Sequence, residues 1–195
     1  LHQPDGTFAD RSAAVGLDHL GAGQPALLDF DRDGALDLIV GQTFNRLSAE
    51  RPREAGLANG SLKPDDPGHE QAAPRLRVYH NSLTNGRAGL VLRLRGDPAK
   101  GVARDGFGTI VRAAVDLDNN TSTPDIWLHR QLLGPGGHAG TRSDSSVHVG
   151  LGAANSVHSL QIVWPDAAQT VTHLGTLAAG TWIIDLATGA EPQLV

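Results

Sequence analysis

Residues 29–37 read DFDRDGALD, which places carboxylates at positions 1, 3, 5 and 9 of the stretch and a glycine at position 6. This is the ligand spacing of a calcium-binding loop. Like charges packed this closely repel one another unless a cation lies among them. The stretch therefore predicts a bound Ca²⁺ and a part of the chain that folds around it.

The predicted ligands of this ion are four side chains and one backbone carbonyl: Asp29, Asp31, Asp33, Asp37 and the carbonyl of Ala35. Calcium prefers about six to eight oxygen ligands, and these groups supply that kind of atom. Gly34 permits the sharp turn that a residue with a Cβ would resist. The stretch is not an EF-hand, because position 12, where an EF-hand carries a glutamate, is Val40.

The segments on both sides of the loop are short and apolar. Residues 25–28 (PALL) and 36–40 (LDLIV) predict short buried strands, whereas an EF-hand would need two amphipathic helices. We therefore predict a strand, a calcium loop and a second strand. The alternative is a solvated acidic turn that joins two strands without a metal.

Length and composition exclude several classes of protein. The 195 residues suit one large or two small domains, and no apolar run approaches the roughly 20 residues of a membrane-spanning helix. The net charge of −5, without a basic run that contains aromatic residues, argues against a nucleic-acid partner. Because cysteine is absent, disulfides, thiolate metal sites and cysteine catalysis are excluded for this chain.

The composition predicts an all-β fold, since glycine (24) and proline (11) are frequent and short valine-, isoleucine- and leucine-rich runs recur between turns. The strands predicted after residue 75 are 76–81, 90–95, 109–115, 126–132, 147–149, 159–164 and 181–186. Their spacing and turn chemistry suit a β-sandwich or a small barrel, and we expect an antiparallel β-sandwich over 76–195. Between the sandwich and a calcium-binding unit over 1–41, we expect a polar loop or insertion at 42–75 with one short helix near 47–56.

The aspartate loop lies between two further short patterns: Gly21-Ala22-Gly23 leads into it, and Leu38-Ile39-Val40-Gly41 follows it. With these flanks, residues 21–41 resemble an FG-GAP/VCBS repeat. Residues 4–10 and 15–17 resemble the segment that precedes such repeats. The resemblance implies a blade-like β unit of a propeller, with calcium held in the aspartate loop. Only one such motif occurs in the sequence, so we expect a partial propeller-like calcium-binding unit.

Four short motifs follow one another later in the chain: DGFGTIV at 105–111, the segment 130–140 from Arg-Gln to a glycine-rich turn, HVGLG at 148–152, and IVWPD at 162–166. These motifs and their order resemble those of the ASPIC/UnbV module, and the resemblance covers roughly residues 76–187. Ala167 departs from the pattern, since a glycine is usual after Trp-Pro-Asp. This module commonly follows FG-GAP/VCBS repeats at the carboxyl end of secreted proteins.

The two resemblances together imply an extracellular or cell-surface, secreted protein, with a calcium-stabilised structural or adhesion module that is not an enzyme. A single blade-like unit would leave strand edges unpaired, so we expect self-association through those edges, as in a subunit of a surface fibre or matrix. One alternative is a module that binds a carbohydrate or another cell-surface ligand, such as a surface glycan or a protein. The other alternative is an accessory domain of a larger secreted enzyme. The sequence contains no nucleophile and base at a recognisable spacing.

A second stretch repeats part of the calcium spacing. Asp116, Asp118 and Asn120 occupy positions 1, 3 and 5, but position 6 is not glycine, and Asp125 falls at position 10. We interpret this stretch as a hairpin turn with solvated acids. A second, weaker calcium site is the alternative.

The remaining conspicuous residues favour structural roles. The nine histidines show no metal-binding spacing and are expected at the surface or in hydrogen bonds. The glycine pairs at 106–108 and 150–152 predict strand corners or bulges, because no βαβ unit surrounds them. The tryptophans Trp127, Trp164 and Trp182 predict core packing, with a carbohydrate-binding platform as the alternative.

Overall fold

A computed structural model describes residues 3, 5–17, 24–41, 76–82, 88–118, 120, 122, 124–134 and 144–195. The strands, numbered in chain order, are β1 Pro25–Leu28, β2 Asp37–Gly41, β3 Leu76–Tyr79, β4 Ala88–Arg95, β5 Ile110–Val115, β6 Ile126–Gln131, β7 Val147–Gly152, β8 Ser156–Val157, β9 Ser159–Val163, β10 Val171–Leu174, β11 Leu177–Ala178, β12 Gly180–Asp185 and β13 Gln193–Leu194. Short 3₁₀ helices lie at Ala13–Val15 and Pro98–Lys100. The predicted all-β fold is confirmed. No helix in these ranges is long and apolar enough to cross a membrane.

The chain divides into two compact units. One contains Leu1–Pro25 and Leu38–His80, and the other contains Ala26–Asp37 and Asn81–Val195. In the first unit, β2 and β3 pair antiparallel, with Ile39 opposite Val78. The second unit therefore contains the whole loop between β1 and β2 together with strands β4 to β13. The predicted boundaries 1–41, 42–75 and 76–195 stay a prediction of the domain organisation.

The second unit contains two four-stranded sheets and one two-stranded pair. The first sheet has the order β10-β9-β5-β6, the second sheet has the order β13-β12-β4-β7, and β11 pairs with β8. All pairs of the first sheet are antiparallel. No closed barrel or propeller forms among the described strands.

One pair departs from the antiparallel sandwich that the sequence predicts. Strand β12 runs parallel to β4, with Gly180 opposite Leu90 and Asp185 opposite Arg95. A parallel pair needs a long crossover connection, which a hairpin cannot supply. Here the connection contains the whole first sheet, since β5, β6, β9 and β10 all lie between β4 and β12 in the chain.

The core lies between the two sheets and is built by alternate residues of the central strands. In β9, Leu160 and Ile162 are fully buried while their neighbours are half-buried. In β4, Leu90, Leu92 and Leu94 point to the core in the same way. All of these residues belong to one apolar cluster to which both sheets contribute. The period-two apolar pattern of the sequence therefore correctly indicates the buried faces.

The three tryptophans have different environments. Trp164 is fully buried, and its indole Nε1 donates a hydrogen bond to Thr172 Oγ1 at 2.9 Å, which satisfies its polar atom inside the core. Trp182 packs against the edge of the core. Trp127 is 45% exposed on β6, so the prediction of core packing is wrong for this residue. The reason is that, among the described strands, β6 is an end strand of its sheet, with most of its side chains exposed.

The glycine pair at 150–152 forms the predicted bulge. The register of β7 against β4 shifts between Ala88 and Gly89, which face Gly152 and Gly150. Gly152 has φ of 61°, and a Cβ there would lie 2.7 Å from the carbonyl oxygen of Leu117. A residue with a side chain would therefore clash as well as strain the backbone.

Strand β1 and the segment 42–75 lie close in sequence to the aspartate loop. Strand β1 forms where the sequence predicts it, but Leu27 is 45% exposed and the strand alternates between exposed and half-buried positions. The expectation of a buried strand is therefore wrong, because one face is exposed and the other is half-buried. The polar segment 42–75 and the short helix near 47–56 lie outside the described residues.

Candidate metal centre

The aspartate loop brings carboxylates together as its spacing predicts. Asp29, Asp31 and Asp37 each offer an oxygen atom, and these three atoms lie within 4.8 Å of one another. An oxygen of Asp33 lies within the same distance of one on Asp31. At this separation, two unit charges repel by on the order of 1–3 kcal/mol, depending on solvent exposure. The loop therefore concentrates negative charge in the way a cation site does.

Backbone N–H groups of the loop hold three of these carboxylates in place. Gly34 N donates to Asp29 Oδ2 at 3.1 Å, Asp33 N donates to Asp31 Oδ1 at 3.2 Å, and Ala35 N donates to Asp33 Oδ1 at 2.8 Å. Each contact spans two to five residues, so the loop itself orients the side chains. Short-range bonds of this kind are typical of aspartate-rich turns.

Asp29 carries the most informative atom of the loop. Its second oxygen, Oδ1, is buried and has no hydrogen-bond partner among the residues that the structure describes. A buried carboxylate oxygen without a partner is costly, and such atoms are rare in folded proteins. A cation placed among the three neighbouring carboxylates would satisfy it.

Asp37 closes the loop and is the most buried of the four aspartates, with 1% of its surface exposed. Its Oδ2 accepts a hydrogen bond from Phe30 N at 3.0 Å, and its Oδ1 accepts one from Asn81 N at 2.8 Å. Asn81 in turn donates through Nδ2 to the carbonyl of Leu36 at 3.2 Å. Asp37 therefore ties the two ends of the loop to a residue that lies 44 positions further along the chain.

The loop is also fixed to strand β7 through its glycine. His148 Nε2 lies 2.8 Å from the carbonyl oxygen of Gly34. Because a carbonyl only accepts, the hydrogen is on Nε2 in this tautomer. Gly89 of β4 lies at the same point, where a Cβ would be 2.5 Å from Gly34 O and 3.0 Å from His148 Nε2. The close approach of the loop to the second sheet therefore requires a glycine at position 89.

Two residues of the loop adopt left-handed backbone conformations. Gly34 has φ of 89° and Arg32 has φ of 65°. Glycine adopts this conformation freely, whereas an arginine does so at a cost of about 1–2 kcal/mol. The predicted role of Gly34 in the sharp turn agrees with this geometry. The role of the Ala35 carbonyl as a ligand stays a prediction.

The second acidic stretch, 116–125, has a different arrangement. Asn120 N donates to Asp116 Oδ1 at 3.0 Å and to Asp118 Oδ1 at 3.1 Å, and Asp125 binds the ring Nδ1 of His158 at 3.0 Å. Among the described residues, the carboxylates of this turn form no group of three within 4.8 Å. The geometry therefore favours the interpretation as a hydrogen-bonded turn between β5 and β6.

The Trp-Pro-Asp segment forms the turn between β9 and β10. Asp166 accepts bonds from both groups of Thr170: Oδ1 from the N–H at 2.7 Å and Oδ2 from the hydroxyl at 2.5 Å. Both bonds lower the pKa of Asp166 below its ordinary value, and the bond from the hydroxyl contributes more to this shift than the bond from the N–H. Trp164 N also donates to Thr170 O at 2.9 Å, which closes the hairpin next to the core.

This hairpin, the bulge at 150–152 and the strands between them carry the signatures of one module. Residues 100–186 match the family ASPIC and UnbV. The match begins in the 3₁₀ helix before β5 and ends just after β12, so it lies entirely in the second unit. It confirms the second of the two resemblances over those residues.

The ASPIC and UnbV match does not include the aspartate loop, and an FG-GAP/VCBS repeat is not shown by this comparison. That resemblance stays a prediction. No curated protein and no solved structure matches the chain. Within the ASPIC and UnbV segment, the left-handed residue of the Trp-Pro-Asp turn is Gln169, with φ of 51°, and Ala167 has no positive φ. The turn therefore does not require the glycine that is usual at 167.

Several residues of the site carry no signal in the sequence. Asn81, Gly89 and His148 contact the loop from 44 to 114 residues away, and no local pattern distinguishes them. His148 was expected only at the surface or in a hydrogen bond, and it is in a hydrogen bond. A spacing rule cannot find such residues, because they contact the loop only once the second sheet has formed.

Proposed function

We propose that this chain is a calcium-stabilised structural or adhesion module of an extracellular or cell-surface protein. The ion would be held by Asp29, Asp31, Asp33 and Asp37, with the Ala35 carbonyl as a further ligand. The observation that carries the proposal is the buried Asp29 Oδ1, which has no hydrogen-bond partner in the described part of the chain and belongs to a group of three carboxylates within 4.8 Å. A divalent cation there would neutralise the charge that the loop concentrates.

The donor set favours calcium over other metals. The predicted ligands are carboxylate and carbonyl oxygens, which suit hard cations such as Ca²⁺ and Mg²⁺. The loop residues 29–37 contain no histidine or cysteine, which a zinc or copper site would be expected to use. Calcium accepts a variable coordination geometry, so a carboxylate-rich loop fits it better than magnesium, which demands a near-octahedral shell that keeps several waters.

The role of the ion would be structural. The ion would hold the loop in one arrangement. Because Asp37 and His148 attach the loop to the rest of the unit, calcium binding would stabilise the second sheet as well as the loop. Extracellular modules bind calcium with dissociation constants of roughly 10⁻⁴–10⁻³ M, so millimolar calcium outside a cell would fill the site. A ten- to hundredfold excess over the dissociation constant would add about 1–3 kcal/mol to the free energy of unfolding.

The wider setting rests on family resemblance. The ASPIC and UnbV match and the predicted FG-GAP/VCBS-like unit both support the proposal of a secreted protein. The predicted FG-GAP/VCBS-like unit also supports a partial propeller-like arrangement of residues 1–41, next to further repeats of the same kind. The proposal assigns no chemical reaction to this module. A role as an accessory domain of a larger secreted enzyme would be compatible with the same calcium site.

The test is thermal unfolding in millimolar calcium and in excess chelator. We expect calcium to raise the melting temperature by about 3–10 °C. Asp31→Asn should lose most of this response, because it removes one charge from the cluster. The matched control is Asp185→Asn, because Asp185 lies outside the loop. Its carboxylate also holds a turn, since it accepts a hydrogen bond from Ala187 N at 2.9 Å. A melting temperature that chelator leaves unchanged would refute the proposal.

Self-association is a second part of the proposal, favoured by strand β6. Among the described strands, β6 is an end strand of the first sheet, and it exposes about half of the surfaces of Ile126 and Trp127. Exposed apolar end strands pair readily with a second chain. Sedimentation in calcium should detect dimers or larger species that Ile126→Lys reduces. A clean monomer at the highest attainable concentration would count against assembly through this strand.

A further inference from the structure

A cavity of about 450 Å³ separates the aspartate loop from the outer face of the second sheet. Arg32, Asp33 and Gly34 line it from the loop. Val91 and Arg93 of β4 line it from the sheet. All of these residues belong to the second compact unit. A volume in this range suits a ligand of small-molecule size.

The sheet side of the cavity follows from the period of β4. Because Leu90 and Leu92 face the core, Val91 and Arg93 point to the opposite face. Thr181 of β12 is paired in register with Val91 and also lines the cavity. Val91 is only 7% exposed although it lies on the outer face, which agrees with the loop lying over it.

The two arginines are the unusual residues of this cavity. Both are exposed, and within the described part of the chain neither guanidinium has a hydrogen bond or an ion pair. Arg32 holds a left-handed backbone conformation at φ of 65°, where a glycine or asparagine would be unstrained. Strained backbone positions of this kind occur often in ligand-binding loops. The guanidinium group is the side chain best shaped to hold a planar or tetrahedral oxyanion.

We propose that the cavity binds a small ligand through a carboxylate or sulfate group, with Arg32 and Arg93 as the donors. This inference rests on the proposed calcium site. The four loop aspartates outnumber the two arginines, so without a cation the region is net negative and repels an anion. A bound divalent ion cancels that excess, which makes binding of the oxyanion dependent on calcium. The hydroxyl of Thr181 is a further donor on the sheet side of the cavity.

The experiment is a calorimetric or NMR titration of the full chain with sodium glucuronate, in millimolar calcium and in chelator. Glucose, which lacks the carboxylate, is the neutral control ligand, and sodium sulfate tests the second oxyanion. We expect glucuronate or sulfate to bind in calcium, with glucose at least about tenfold weaker, as for the loss of charge-assisted hydrogen bonds. Which of the two anions binds more tightly identifies the group that the cavity prefers.

Three variants locate the site. Arg32→Gln and Arg93→Gln should each weaken binding by about tenfold or more. Arg112→Gln is the matched control, because Arg112 is an exposed strand arginine of the first sheet that does not line the cavity. The calcium-dependent rise in melting temperature should persist in all three variants, which shows that an arginine substitution has not simply destroyed the loop.

The outcomes separate the two proposals. If calcium stabilises the chain but neither anion binds more tightly than glucose, the oxyanion site is wrong and the calcium site stands. If an anion binds equally well in chelator, the dependence on calcium is wrong. If calcium has no effect on stability and no anion binds, both proposals are wrong. Binding that Arg93→Gln and Arg112→Gln weaken equally would place the ligand outside this cavity.

Discussion

Two aspartate turns of this molecule share the first part of their spacing and differ in what their carboxylates do. In the loop 29–37, oxygens of Asp29, Asp31 and Asp37 lie within 4.8 Å of one another, and the buried Asp29 Oδ1 has no hydrogen bond to any described residue. In the turn 116–125, Asp116 and Asp118 accept from the same backbone N–H of Asn120. The first arrangement suits a cation, whereas in the described part of the second turn two carboxylates share one backbone N–H.

The different arrangement of the carboxylates in the two turns follows from the residues at positions 6 and 9 of each stretch. Gly34 lets the first loop turn sharply with φ of 89°, so that Asp37 can close it from the following strand. The second turn has no glycine at the corresponding position, and its last acid, Asp125, is paired with His158. Alternating aspartates are therefore not enough to predict a metal site. The glycine at position 6 and an acid at position 9 are the features that distinguish the two turns.

The largest effect should come from Asp37→Asn. An asparagine has one acceptor oxygen, so one of the N–H groups of Phe30 and Asn81 would lose its partner in a buried site. We expect a loss of about 1–3 kcal/mol in the free energy of unfolding, and loss of the response to calcium as well. Urea unfolding with and without calcium measures both.

The comparison variant for this prediction is Asp116→Asn in the other turn. Asp116 accepts one backbone N–H, which the asparagine oxygen can still accept. The loss should stay below about 1 kcal/mol, with the calcium response intact. Equal effects of the two substitutions would mean that the two turns do not differ in the way described.

The second largest effect should come from Gly89→Ala. Its Cβ would lie 2.5 Å from the carbonyl of Gly34, so the loop or strand β4 must move. We expect a loss of about 1–3 kcal/mol from this overpacking and a weaker response to calcium. The matched variant is Gly150→Ala on β7, where a Cβ would meet nothing within 4 Å. If chemical denaturation gives the same stability for both, the loop is not held against the sheet at Gly89.

The smallest effect concerns a third aspartate turn, in which the N–H and the hydroxyl of Thr170 both donate to the carboxylate of Asp166. The pKa of Asp166 is lowered chiefly by the Thr170 hydroxyl and next by the Thr170 N–H. A lowered pKa in the folded state stabilises the protein above the ordinary value of 3.8, and this stabilisation is lost as the pH falls below it.

Thr170→Val should therefore lower stability near neutral pH and flatten the fall in stability between about pH 4 and pH 2. Thr170→Ser keeps the hydroxyl and should retain most of the normal acid dependence. Melting temperatures recorded across this pH range check the prediction. A Thr170→Val protein with an unchanged acid profile would show that the hydroxyl does not set the pKa of Asp166.

The fold was predictable from the sequence where one local rule governs it. The period-two pattern in Leu160 and Ile162 of β9 correctly indicates a buried face, and the resemblance over the Trp-Pro-Asp segment is confirmed by the family match. Strand β10 was not predicted, because the apolar signal of residues 171–174 is weak. In the structure these residues alternate between exposed and half-buried positions. The exposure of Trp127 was not predictable either, because it depends on β6 being an end strand.

The sequence by itself determined the candidate ligands. A glycine at position 6 and carboxylates at positions 1, 3, 5 and 9 act over a few residues, and the backbone N–H groups that orient Asp29, Asp31 and Asp33 belong to the same loop. Only the tertiary structure decided what surrounds that loop. The contacts from Asn81 and His148 and the cavity beside Arg93 exist because β4, β7 and β12 form one sheet, with β12 parallel to β4. Pairing between distant strands depends on the packing of the whole core, and no local spacing encodes it.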